Sequence, residues 1–452
     1  MEQEYNIDNQ FTFFEQKSKD VFTKALAELK AEYEAKDWEI FHSKWRKNQG
    51  YIPHGTRKRT IITIFGSLTY SRHRYRHWDK DRYKYVYLSD LALGVEKYQR
   101  ITNHLQVKIL SLIAEGKRYQ DILDCFPNVN FHCRTISNII DRAKISSFTT
   151  SMLDKTKRVA IDRCLYINVD DTFLTFREKK QKKKYRIRVV LFHTGYDWKK
   201  STKTKKVLLN KRIYFFLLKQ NSKINTAEFM EDVYSLAKDF YLNVDQAKVI
   251  IAGDGAPWIR ECQKYWPGSI YVLDKFHAIR KIRNVYSPNA TNLKPTYQLL
   301  KTLFNQGNYH KIMTILDQNP FKDPIKVLRF NDLKGYFQRN QEGIENQSYH
   351  GNLGCSVENA ISHHVKWLLG YGSKAFSKKT YAKMLEIHMA KINGISMIDL
   401  LKERIITTLK EHQQYFKENY WRKTFTNYAV TGEMPLAKMG ARGKWYRNVS
   451  KG

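Results

Sequence analysis

Leu165-Tyr166-Ile167-Asn168-Val169-Asp170-Asp171-Thr172-Phe173-Leu174-Thr175-Phe176 is the stretch on which the fold turns. β-Branched and aromatic residues dominate it, so it reads as a strand. Acids are depleted from strand interiors, yet two stand side by side here. Alternation sends Asp170 and Asp171 to opposite faces, so only one of them can readily point into a site. The strand alone leaves open which.

Downstream, Tyr185 to Phe192 and Arg212 to Leu218 read as two more strands. Thr226 to Tyr241 reads as a helix, with Phe229, Val233, Leu236 and Phe240 on one face. Lys248-Val249-Ile250-Ile251-Ala252 is a short apolar run, as a buried strand would be, and it ends at Gly253-Asp254-Gly255. Pro257 suits a helix start. Ser269 to Leu273 is another strand ending at Asp274, before a helix bearing Phe276, Ile279, Ile282 and Val285. Three antiparallel strands followed by alternating helix and strand predict an α/β fold with a mixed sheet of the ribonuclease H type. Residues 286–350 read as a polar helical insertion, and Ser356 opens a helix running through Ile361, Val365 and Leu368, with Ser356 as its cap.

Upstream, Leu26, Leu29, Tyr33, Trp38, Phe41 and Trp45 recur at helical spacing. Arg59 to Tyr70 reads as a hairpin turning at Gly66-Ser67, whose far strand continues as Ser71-Arg72-His73-Arg74-Tyr75-Arg76-His77-Trp78. Basic residues interleaved with aromatics suit either a nucleic-acid backbone or a solvated edge strand. Residues 101–144 read as short helices resembling a helix-turn-helix, with Arg134, Asn138, Arg142 and Lys144 on the outer side of the last. The expected divisions are 1–50 helical, 51–100 β-hairpin, 101–150 helix-turn-helix-like, 158–285 catalytic core, 286–350 insertion, 351–385 glutamate helix of the core and 386–452 a basic helical C-terminal region.

The 452 residues exceed one compact core. Lys and Arg number 79 against 44 Asp and Glu, a net charge of +35, which favours a polyphosphate partner through counterion release. Lysine runs at Lys179, Lys180, Lys182, Lys183 and Lys184, and at Lys199 to Lys206, are expected in hairpin loops, where they would meet phosphates. No apolar stretch approaches the roughly 20 residues a membrane span needs. The N-terminus lacks a secretory pattern, so a cytoplasmic protein of bacterial type is expected. Five scattered cysteines read as reduced thiols, and without a Cys-x-x-Cys pair a zinc ribbon is disfavoured. No Gly-x-x-x-x-Gly-Lys-Ser/Thr loop supports ATP-driven chemistry, and His363-His364 lacks the His-Glu-x-x-His spacing of zinc proteases.

Three acidic islands remain inside this basic chain: Asp170-Asp171, Asp254 and Glu358. Phosphodiester cleavage needs an activated water or 3′-hydroxyl and charge relief at the leaving oxygen, which two Mg²⁺ ions held by carboxylates supply. Singly the acids are weak signals. Gly-Asp-Gly is ordinary turn chemistry, and Glu358 in a first helical turn could simply answer the helix dipole.

Together the islands resemble a known family. Ile167-Asn168-Val169-Asp170-Asp171-Thr172-Phe173-Leu174 resembles the first-aspartate strand of bacterial insertion-sequence transposases of the Mutator-related group. Gly253-Asp254-Gly255-Ala256-Pro257-Trp258-Ile259 is similar to their second-aspartate motif, and Leu273-Asp274-Lys275-Phe276-His277 to the Asp-x-x-His element that follows it. Gly354-Cys355-Ser356-Val357-Glu358-Asn359-Ala360-Ile361-Ser362-His363 resembles their glutamate helix. The resemblance spans roughly residues 50–390 and is strongest to the transposase-like proteins of integrative and conjugative elements.

It implies a DDE transposase that cuts the ends of a mobile element and joins them to target DNA. Asp170, Asp254 and Glu358 would form the catalytic, metal-binding triad, with two Mg²⁺ or Mn²⁺ ions. Asp274, His277 and Asp171 would support it, and the basic residues named above would bind DNA. Where the family has a small residue after the first aspartate this chain has Asp171, and Asp170 is favoured as the ligand. The partners implied are double-stranded DNA, as element ends and target, and further copies of the chain on paired ends. The alternatives are an inactive or accessory DNA-binding protein of a mobile element, or a nuclease that cuts without joining.

Overall fold

The computed structural model describes residues 7–79, 82–142, 158–178, 180–219, 225–318, 320–369 and 376–401. The chain divides into two compact units, Met1–Ser147 with Ile395–Gly452, and Phe148–Gly394. The three N-terminal regions read from sequence therefore share one unit, and the helical insertion and glutamate helix share the other with the sheet.

The first unit begins with α1 (Ile7–His42) and α2 (Lys44–Asn48). Leu26, Leu29 and Tyr33, three and four residues apart, pack one stripe of α1 against Ile61, Leu68 and Tyr70. Those residues belong to β1 (Ile52–Thr63) and β2 (Gly66–Asp79), the expected hairpin, to which β3 (Arg82–Val86) adds an unforeseen third strand. Where β2 runs past the end of β3, side chains of α1 take its free amides: Glu34 accepts from Ser71 N at 2.9 Å and Asp37 from His73 N at 3.0 Å. α3 (Leu88–Ala92) follows, then α4 (Asn103–Ala114), α5 (Tyr119–Asp124) and α6 (Cys133–Arg142). α6 buries Ile136, Ile139 and Ile140 and exposes Arg134, Asn138 and Arg142. Lys144 lies outside the described residues.

The second unit is a mixed α/β structure. Its strands are β4 (Cys164–Glu178), β5 (Gln181–His193), the short pair β6 (Gly195–Tyr196) and β7 (Leu208–Leu209), β8 (Arg212–Lys219), β9 (Lys248–Gly253) and β10 (Ile270–Leu273). Five of them form one sheet in the order β10-β9-β4-β5-β8. β4 pairs antiparallel with β5 and parallel with β9, so the stretch that opens the unit is also the centre of its sheet.

Helices cover both faces. On one, Leu165, Ile167 and Val169 meet α7 (Thr226–Phe240), α8 (Pro257–Glu261), α9 (Lys275–Val285), α10 (Lys294–Asn305), α11 (Tyr309–Leu316) and α12 (Pro324–Arg339). The insertion is thus not a polar appendage: Leu300, Phe304, Ile312, Phe330 and Phe337 are buried in the main core. Its end, with α13 (Gln341–Glu345), closes the β10 edge, where Asn346 and Gln347 side-chain amides donate to the Tyr271 and Leu273 carbonyls at 2.8 Å.

On the other face, Leu174, Phe176, Val189 and Leu191 meet α14 (Val357–Ala360), α15 (Trp367–Leu369) and α16 (Lys378–Ile392). α16 packs through Tyr381, Leu385 and Met389, so the expected boundary at 385/386 falls inside a helix. The expected continuous helix from Ser356 is interrupted by a π-helical segment at Ile361–Lys366, a feature common near functional sites.

Candidate active site

Asp170 leaves β4 on the face shared with α14. The alternation that buries Leu165, Ile167 and Val169 against one helical layer sends Tyr166, Asn168 and Asp170 toward the other. Asp170 is 4% exposed. One of its carboxylate oxygens accepts the Asp171 N–H at 2.7 Å, and His277 Nε2 lies 3.8 Å from the other.

Asp171 faces the opposite way. Arg188, its cross-strand partner, clamps it with Nε at 2.9 Å and a terminal nitrogen at 3.0 Å, and Arg186 stands 3.7 Å off. The Arg188 guanidinium lies 3.3 Å from the Trp258 ring centroid. Asp171 is therefore the anion of a packed ion pair, and Asp170 alone reaches the cluster.

Three ligand atoms converge there: one carboxylate oxygen each from Asp170 and Glu358 and one ring nitrogen of His277, all within 4.8 Å of one another. They come from β4, α14 and α9, elements far apart in sequence. Asp274 caps α9 by accepting the Phe276 N–H at 2.9 Å, which fixes the first turn and aims His277; its carboxylate is 3.8 Å from His277 Nε2. That nitrogen is buried with no hydrogen-bond partner among the described residues. Glu358 is half-buried, with Lys366 Nζ 3.8 Å away.

Asp254 stands just beyond β9, and its neighbours explain both flanking glycines. A Cβ on Gly253 would come within 2.7 Å of the Val169 carbonyl across the parallel ladder. Gly255 has φ +89°, and a Cβ there would meet the Asn340 side chain at 2.8 Å. Asp254 itself closes the turn, its Oδ1 accepting the Ala256 N–H at 2.9 Å, while Tyr336 of the insertion donates to its backbone carbonyl at 2.7 Å. The turn reading of Gly-Asp-Gly is correct as structure, and the same turn sets the Asp254 charge beside the cluster.

The electrostatics are those of crowded acids. Burial, then the Asp254 charge, push Asp170 up to about 8, with Glu358 and Asp171 adding to the rise. Burial raises Asp274 too, against the Phe276 amide and His277, which lower it. An oxygen-rich cluster whose most buried acid is pushed toward its protonated form, with a buried imidazole nitrogen that has no hydrogen-bond partner among the described residues, has the donor set of a divalent metal site. Asp170, His277 and Glu358 could hold one ion.

Sequence reading missed the supports. Asn168, fully buried, accepts the Ser356 N–H at 2.7 Å and so ties the start of α14 to β4; Ser356 makes no side-chain cap. Cys355 lies against the cluster, its thiol pushed up by burial and by Asp274, Asp170 and Asp254. Position 168 could have been flagged as a polar residue in a buried strand; nothing local flags Cys355.

The basic residues stand elsewhere. Lys182, Lys183 and Lys184 are in β5, not in a hairpin loop, because β4 and β5 stay paired as far as Glu178–Gln181. Lys183 faces Glu178 at 3.6 Å and Lys184 lies over Phe173. Lys180 occupies the turn with φ 67°, and Lys179 lies outside the described residues. Lys199 to Lys206 lie between β6 and β7, Lys200 paired with Asp197 at 3.2 Å. None of these contacts is with the acidic cluster.

A family model described as an uncharacterised protein family, UPF0236, matches residues 3–403. The chain belongs to the UPF0236 family. Several UPF0236 proteins of Caldanaerobacter subterraneus subsp. tengcongensis are 26% identical to it over 370 residues; two of them are covered over 74% and 70% of their own lengths, against 81% of this chain. Asp170, His277 and Glu358, with the neighbouring Asp254 and Asp274, all fall inside the span the family model matches. Among solved structures, the Drosophila P element transposase strand transfer complex aligns with 77% of this UPF0236 chain and 96% of its own at 11% identity, with a TM-score of 0.27, too low to bear on fold or function. No helix of the described residues is long and apolar enough to cross a membrane.

Proposed function

We propose that this chain is a DNA transposase of the DDE type, cutting DNA at mobile-element ends and joining the freed ends to target DNA. The observation that carries the reading is Asp170, buried at the centre of the sheet with Glu358 and His277 converging on it and, among the described residues, no Lys or Arg paired with it. The order β10-β9-β4-β5-β8, with three antiparallel strands followed by two parallel ones, supports a ribonuclease H-like core. The net charge of +35 suits a polyphosphate substrate.

In this reading Asp170, Glu358 and His277 hold one divalent ion, Mg²⁺ or Mn²⁺, and Asp254 contributes to holding a second. Bound ions would lower the pKa of the attacking water or 3′-hydroxyl and relieve charge on the leaving oxygen. The chain's residues do the rest. Asp170 gives up its proton on loading, since a buried acid without a cation keeps it. Asp274 fixes the tilt of His277, Asn168 fixes the start of α14, and Tyr336 fixes the Asp254 turn. Arg188 keeps Asp171 out of the site, so the strand offers one carboxylate and not two. Copies of the chain assembled on paired ends, and the exposed Arg134 and Arg142 of α6 on duplex backbone, belong to the same proposal.

The test is incubation of the chain with DNA bearing both flanks of its own gene, a supercoiled target and Mg²⁺ or Mn²⁺. Joined products support the proposal. Cut ends without joining make it a nuclease, and end binding without cutting makes it an accessory protein.

A further inference from the structure

The ribbon formed by β2 and β3 carries on one face a ladder that neither the core nor the proposed active site uses. Arg76 stands opposite Tyr85 and Trp78 opposite Tyr83, and Arg74 follows on the same side of β2. The intervening residue Tyr75 is fully buried on the other side. Trp78, Tyr83 and Tyr85 are 55%, 46% and 53% exposed. The Arg74 guanidinium lies 4.8 Å from the Tyr85 ring centroid and that of Arg76 5.1 Å from Tyr83, while Trp78 meets Tyr83 edge-on at 4.7 Å. None of these outward positions is acidic.

We infer that this face binds single-stranded DNA, stacking unpaired bases on Trp78, Tyr83 and Tyr85 and holding phosphates with Arg74 and Arg76. An edge strand guarded against aggregation explains the arginines, but three half-exposed rings would undo that protection. Duplex DNA needs only the cations and leaves the rings idle. Unpaired bases use both, because every base offers a π-face while a guanidinium stacked on a ring keeps its in-plane N–H groups free for phosphate. The choice of DNA over RNA rests on the proposed function; the stacking chemistry does not.

Fluorescence anisotropy of the full chain with labelled oligothymidylate, a duplex of equal length and oligouridylate tests the inference. Replacing both tyrosines, Tyr83→Leu and Tyr85→Leu, is expected to weaken oligothymidylate binding about tenfold and to spare the duplex. Tyr83→Phe with Tyr85→Phe, which keeps the rings, is expected to bind as the parent does. Arg74→Gln and Arg76→Gln each lower the salt slope on the single strand by about 0.7. If the leucine pair lowers the melting temperature, Trp78→Leu at the ribbon's end is read in its place. Equal loss on the duplex, no loss on the single strand, or tighter binding of oligouridylate overturns the inference. Asp170→Asn separates the two proposals: it leaves oligothymidylate binding intact whatever it does to cleavage, so either reading can fail alone.

Discussion

Two aspartates are buried to nearly the same degree, one in each unit, and they live in opposite electrostatic worlds. Asp90 of α3 is 5% exposed and Asp170 of β4 is 4% exposed. Asp90 is paired with both Arg59 and Arg72 and accepts the Tyr70 hydroxyl at 3.0 Å. Among the described residues Asp170 has a single amide hydrogen bond, with His277 Nε2 3.8 Å away, and it shares its space with Asp254 and Glu358. Burial of a charge is tolerated when it is neutralised, and Asp90 is neutralised by its own fold. No Lys or Arg among the described residues does the same for Asp170, an arrangement that suits neutralisation by a proton or by a cation from outside the chain. Asp171, adjacent in sequence, resembles Asp90: Arg188 answers it.

This contrast can be broken at several points. The largest effect is expected on cleavage: Asp170→Asn, Asp254→Asn or Glu358→Gln lowers metal-dependent DNA cutting by on the order of a thousandfold, while end binding persists. Full cutting by all three variants would remove the active-site assignment. Next is Asp90→Ala, which strands Arg59 and Arg72 in the first unit and costs about 3–5 kcal/mol in urea unfolding. Asp170→Ala, by contrast, relieves repulsion and leaves metal-free stability near that of the parent. A smaller loss, about 1–3 kcal/mol, is expected for Asp171→Asn, which weakens the Arg188 clamp without touching the cluster. If metal binding measured by calorimetry falls as far in Asp171→Asn as in Asp170→Asn, the assignment of opposite roles to the two neighbours is wrong.

The last expectation is a pH slope. Asp170 is held near about 8 in the fold against about 3.9 in an unfolded chain, so between those values the folded state keeps a proton that the unfolded state has lost. Metal-free protein therefore becomes less stable as pH climbs from about 4 to about 8. Asp274, raised in the same direction, adds to the slope. Asp170→Asn flattens it, and Mg²⁺ or Mn²⁺ restores stability at the upper end, where the carboxylates ionise at least expense. Melting temperatures across that range, with and without chelator, check the sign; a slope that rises with pH in the metal-free protein contradicts it.

Much of the second unit was legible in the residues. The strands reading Leu165 to Phe176, Tyr185 to Phe192 and Lys248 to Ala252 lie within β4, β5 and β9, because apolar runs bounded by Gly, Asp and Lys report burial directly. Alternation alone separated Asp170 from Asp171 by face. What alternation could not say is which face receives the cluster. That is set by Arg188, by Trp258 beneath it, and by an α14 tied back to Asn168, all contacts between residues distant in the chain. The lysine run misled because a solvated strand and a solvated loop look alike in composition, and only the β4–β5 register distinguishes them. The insertion misled for the reverse reason: its sparse apolar residues are spaced to bury together, and their partners belong to other helices.

By itself, then, the sequence determined a basic chain, the central strands of a mixed sheet and the acids able to take part in a site. Only the tertiary structure decided that Asp170, His277 and Glu358 share one small volume while Asp171 is neutralised behind the sheet. The physical reason is range. Strand periodicity and turn chemistry act between near neighbours, whereas a cluster able to hold a metal is a coincidence of three elements, and packing alone brings them together.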